Sequence, residues 1–78
     1  MFDILKILKI NLADIFAVEE EDITPATAFE ELGADIIDMQ EIMLIAEEEF
    51  GVLIDDDNLK KFVTVGDLIA YIEGHRND

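Results

Sequence analysis

The chain has 78 residues, 51% of them hydrophobic, with 20 acids against 5 bases and a net charge of -15. A domain of this size buries one small core and leaves little room for a multilayer active site, while its hydrophobic share points to a folded globule rather than an acidic disordered tail. The absence of Cys excludes disulfides and cysteine-based zinc sites, and the acidity opposes nucleic-acid phosphates and anionic lipid while favouring basic protein surfaces.

The apolar N-terminus is interrupted by Asp3, Lys6 and Lys9 and leads to no small-residue cleavage site. Neither a signal peptide nor a membrane span is expected, and a cytoplasmic location is. Ile4, Leu5, Leu8, Leu12, Ile15 and Phe16 share one helical face and predict a first helix from Asp3 to Phe16. The run Glu19 to Asp22 and then Thr24-Pro25 break that period and open a long first loop. Phe29 and Leu32 are its expected apolar anchors, and Gly33 suits a tight turn.

Asp35 is the expected N-cap of the second helix, Ile36 to Phe50, with Asp38 adding a negative charge in its first turn. Met39, Ile42, Met43, Ala46 and Phe50 cluster on the face expected to be buried, and Gly51 ends the helix. Val52 to Asn58 reads as a connector, and Asn58 to Phe62 as a short third helix with Leu59 and Phe62 inward. Thr64 and Asp67 have the spacing of a capping box, followed by Val65, Leu68, Ile69 and Ile72 on one face of a last helix, Val65 to Glu73, closing near Gly74. The fold class read from these periods is all-α: a small bundle of three main helices plus one short helix with a long first loop, in a single domain over residues 1–78.

On the wheel of the second helix, Ile37, Glu41, Leu44 and Glu48 lie together opposite Met39 and Ala46. Either the two aliphatics touch the loop or another helix, or they are anchors of a docking strip, ringed by Asp35, Asp38, Glu41, Glu47 and Glu48, for a basic partner. The acids Asp55, Asp56 and Asp57 do not form a calcium loop. Counted from Asp55, the sixth and twelfth positions hold Lys60 and Gly66, where such a loop needs Gly and a bidentate acid. They read as a solvated acidic turn, Glu47 to Glu49 as surface, and His75 as a tail residue at a fraying end. No metal site and no catalytic pair of carboxylates are expected.

Leu32-Gly33-Ala34-Asp35-Ile36-Ile37-Asp38, Glu47-Glu48-Glu49-Phe50-Gly51 and Thr64-Val65-Gly66-Asp67 resemble, in order and spacing, segments of bacterial acyl carrier proteins. The resemblance covers essentially the whole chain. It implies an antiparallel four-helix bundle, a non-enzymatic role in fatty-acid or polyketide synthesis, and recognition through the second helix, where Asp35, Ile37, Asp38, Glu41, Leu44, Glu47 and Glu48 match the partner-binding surface. It also implies that Ile36 occupies the position of the serine that bears 4'-phosphopantetheine. Isoleucine has no nucleophilic atom, and the chain contains no serine at all. Thr24, Thr27 and Thr64 lie outside the matching motif. The expected cofactor content of this chain is therefore none, and the expected partners are basic surfaces of acyl-chain synthesis or transfer enzymes, met by a monomer. A second reading is an acidic interaction or regulatory module that binds a basic partner and never carries cargo.

Overall fold

The computed structural model describes residues 3–75, and in that span Ala17, Gly33 and Gly51 are the residues with positive φ. The chain forms α1 (Ile4–Phe16), α2 (Ile36–Phe50), α3 (Asp56–Leu59) and α4 (Val65–His75), with two 3₁₀ turns, Glu20–Asp22 and Phe29–Leu32, inside the first loop. Asp3 is the N-cap of α1, accepting from the Lys6 N–H at 3.1 Å, so the helix begins one residue later than expected. At the other end Ala17 adopts the left-handed conformation and stops the helix.

Among the described residues thirteen apolar side chains form the core. Ile4, Leu8 and Leu12 come from α1, Ile42 and Ala46 from α2, Leu59 from α3, and Val65, Leu68 and Ile72 from α4. The connections supply the rest: Ile23 and Phe29 from the first loop and Val52 and Ile54 from the link to α3. Leu5, Ile15, Phe16 and Leu32 are only half-buried. No polar or charged side chain is buried among the described residues, as the cost of stripping such a group of water leads one to expect in so small a core.

The first loop is held by its own polar groups and by the start of α4. Pro25 follows Thr24 in a turn closed by the Thr27 N–H on the Thr24 carbonyl at 3.0 Å, while the Thr24 N–H donates to the Thr27 hydroxyl at 2.9 Å. Farther along, the Phe29 N–H donates to the Val63 carbonyl (2.9 Å), Val65 N–H to Thr27 (2.9 Å) and Gly66 N–H to Pro25 (2.8 Å). These bonds include an isolated antiparallel bridge between Ala28 and Thr64, which no alternation in the sequence announces.

The short helix departs from expectation. It runs from Asp56 to Leu59 rather than from Asn58 to Phe62, because the Asp55 carboxylate caps it by accepting from the Asn58 N–H (2.8 Å) and from the Asn58 side-chain amide (2.9 Å). The acids read as a plain turn are thus the cap and first turn of α3, where negative charge meets the positive end of the helix. Leu59 is buried and Phe62 half-buried, as the inward face requires. At the C-terminus α4 continues through His75, which is not a loose tail residue. Its ring stacks on Tyr71 at 3.9 Å and its Nδ1 lies 2.8 Å from the Tyr71 carbonyl oxygen.

Candidate docking surface

The surface centred on α2 is set by how that helix starts. Gly33 closes the preceding 3₁₀ turn with φ 77°, a left-handed conformation that costs glycine nothing. The chain then enters α2 through a reciprocal cap: the Asp38 N–H donates to Asp35 Oδ1 at 2.9 Å, and the Asp35 N–H donates to Asp38 Oδ2 at 3.1 Å. This cap fixes the orientation of Ile36, the first helical residue, which is 75% exposed. Gly51, also left-handed, ends the helix.

From that start the helical period places Ile37 (67% exposed) and Leu44 (55% exposed) on the outer face together with exposed Glu41 and Glu48. Glu47 is exposed and Asp38 partly covered. The carboxylates of Glu41, Glu47 and Glu48 form no ion pair among the described residues. The two aliphatics therefore do not pack under the loop, and the apolar strip with its acidic border is open to solvent.

The opposite face is less deeply covered than its pattern suggests. Ile42 and Ala46 are buried, but Met39, Met43 and Phe50 are half-buried, and half-buried Ile45 packs against the core as well. The reason is the size of α3: a helix of four residues cannot roof a neighbour of fifteen. What remains is a trough between α2 and the segment from Leu53 to Phe62. One part of about 500 Å³ has Ile36, Met39, Leu59 and Phe62 among its lining, and an adjoining part of about 370 Å³ has Met43, Leu44 and Leu53. Leu53, 73% exposed between buried Val52 and Ile54, belongs to this surface. Nothing in the sequence singles Leu53 out, since Val52, Leu53 and Ile54 are all apolar and only their burial alternates.

Two carboxyls on the described chain hold their protons below the ordinary range. Asp55 is lowered by the backbone N–H and then the side-chain amide of Asn58, against an opposing effect of desolvation, with the smallest contribution from Lys61. Asp67 is lowered by the backbone N–H groups of Thr64 and Val63 and by the Thr64 hydroxyl, again against desolvation. Asp55 is the N-cap of α3, and Asp67 lies in the first turn of α4, reaching back to the N–H groups that precede the helix. Neither lies on the outer face of α2, and no set of three His, Asp or Glu side chains among the described residues is placed to hold a metal ion. No helix among the described residues is long and apolar enough to cross a membrane.

In comparison with known families, the model described as "Phosphopantetheine attachment site" matches residues 6–72, spanning α1 to α4.

Proposed function

The chain belongs to the phosphopantetheine-attachment family of acyl carrier type, and on that premise we propose that it is a non-enzymatic, cytoplasmic docking domain of fatty-acid or polyketide synthesis that carries no phosphopantetheine itself. The position of the attachment serine falls to Ile36, by the order of Gly33, Asp35 and Asp38 around it, and no serine elsewhere can take over. The partners are basic surfaces of acyl-chain synthesis or transfer enzymes, met through Asp35, Ile37, Asp38, Glu41, Leu44, Glu47 and Glu48 of a monomer. The observation that carries this reading is the outer face of α2, on which Ile37 and Leu44 stand in solvent between carboxylates that form no ion pair among the described residues.

Reversing a border charge tests it. Exposed charge pairs contribute about 0.2–1 kcal/mol each, so Glu41→Lys with Glu48→Lys, replacing two attractions by two repulsions, costs about 0.8–4 kcal/mol and weakens binding to a basic carrier-protein partner by roughly 4-fold or more. The loss shrinks as salt is added. Unchanged affinity in a folded double variant removes the docking strip.

The missing hydroxyl favours a second reading, an acidic regulatory module that holds its partner without ever presenting cargo. The two separate on the Ile36→Ser variant loaded with phosphopantetheine. A degenerate carrier regains acyl transfer with the enzymes it binds, and a regulatory module binds them with no transfer.

A further inference from the structure

The trough between α2 and the Leu53–Phe62 segment lies beside the outer face just described, and its chemistry points to one kind of occupant. Gln40 and Asp56 line both of its parts, so the two are neighbouring stretches of one depression that follows α2 from Ile36 to Glu47. At 1.5 Å per helical residue that is about 16 Å, the length of three turns of a second helix. Its two methionines, Met39 and Met43, are unbranched and repack around ligands of different shape, as methionines do at adaptable binding surfaces. Three carboxylates, Asp35, Glu47 and Asp56, border it against a single Lys60. An extended peptide finds no strand to pair with among the described residues. Where a hydroxyl would make the end of the trough polar, Ile36 makes it apolar, so apolar side chains line the trough at both ends, Ile36 with Met39 at the start of α2 and Met43 with Leu53 farther along.

We propose that this trough seats a basic amphipathic helix of the partner protein, its apolar face on Ile36, Met39, Met43 and Leu53 and its lysines and arginines toward Asp35, Glu47 and Asp56. The inference rests on the docking reading and adds the element of the partner that engages. It also gives Ile36 a positive role, as the apolar anchor at one end of the seat.

The test uses the full chain labelled at the methionine methyl groups. A synthetic peptide of about fourteen residues with Leu at i, i+3, i+4 and i+7 and Lys elsewhere is titrated in, against a scrambled peptide of the same composition. The Met39 and Met43 methyl signals are expected to shift saturably, and the amphipathic peptide to bind at least tenfold more tightly than the scrambled one, roughly the effect of placing its apolar residues on one face. Ile36→Ser weakens the amphipathic peptide several-fold and leaves the scrambled one unchanged. Equal binding of both peptides, still methionine signals, or an Ile36→Ser variant that binds as the parent does overturns the inference. So does tighter seating of a free anionic fatty acid than of the peptide, which makes the trough a lipid site. If the methionines stay still while the Glu41 and Glu48 reversals weaken a basic partner, the trough inference fails and the docking reading stands; if the reversals also have no effect, both fail.

Discussion

Replacing Ile36 by Ser is expected to turn the chain into a substrate for a phosphopantetheinyl transferase while leaving the fold in place. Full burial of an isoleucine side chain contributes about 1.5–3 kcal/mol. Ile36 keeps 75% of its surface in water, so the covered quarter contributes only about 0.4–0.8 kcal/mol. Ser and Ile differ little in helix propensity, and the cap made by Asp35 and Asp38 uses no atom of the residue-36 side chain. For a domain of this length the loss corresponds to a drop in Tm of roughly 2–6 °C, too small to unfold it. The assay is intact mass after incubation with a transferase and coenzyme A, with circular dichroism as the check on folding. The variant is expected to gain one phosphopantetheine and the parent none. A modified parent means that the attachment position is misplaced, and a folded but unmodified variant means that the family likeness stops short of recognition by the transferase.

Gly66→Ala places a Cβ 2.9 Å from the Pro25 carbonyl oxygen, a backbone atom that cannot step aside; a loss of about 1–3 kcal/mol is expected. Gly74→Ala, with nothing within 4 Å of its Cβ, is expected to be neutral or slightly stabilising, and equal melts for the two variants refute the steric argument. Because Asp67 holds its proton less tightly when folded than at the unfolded value of 3.8, the stability that it adds is fully present above that value. It is lost as pH falls through the lower folded-state value. The Tm gap between the parent and Asp67→Ala therefore closes in strong acid, and a gap that persists or widens there refutes the capping account. With a net charge of -15, the parent's Tm is expected to rise with added salt or magnesium; a flat or falling midpoint contradicts it.

What was legible in the chain followed from local rules. The i, i+4, i+8 spacing of Ile4, Leu8 and Leu12 and the spacing of Asp35 to Asp38 and Thr64 to Asp67 fix helices and caps within a few residues, and the structure has each of them. Ile23 carries no signal in the sequence, because a single buried residue in a loop has no period to betray it, yet it is wholly covered. Residue types that serve as caps serve equally in turns, and so the sequence predicts a turn at Asp55 and places α3 two residues late. The outer face of α2 could be read because one helix determines it. The trough could not, since its depth depends on how little of α2 the short α3 covers, a fact of packing between segments.

The three backbone bonds that tie Pro25, Thr27 and Phe29 to the segment Val63–Gly66 join stretches separated by about half the chain, and they divide the molecule into unequal mechanical parts. The loop and the start of α4 open together or not at all, so their bonded amides, those of Phe29, Val65 and Gly66, belong to the slowest to exchange with solvent. The backbone bonds made by Leu59 to Phe62, in contrast, all close within α3 and the turn that follows it, so that only side-chain burial holds this segment against α2. The wall of the trough is thus the part that can yield while the remainder stays closed. Isotope exchange at Leu59 and Lys60 is expected to run ahead of exchange at Phe29 and Val65, placing the adaptable side of the docking surface on α3 and the fixed side on α2.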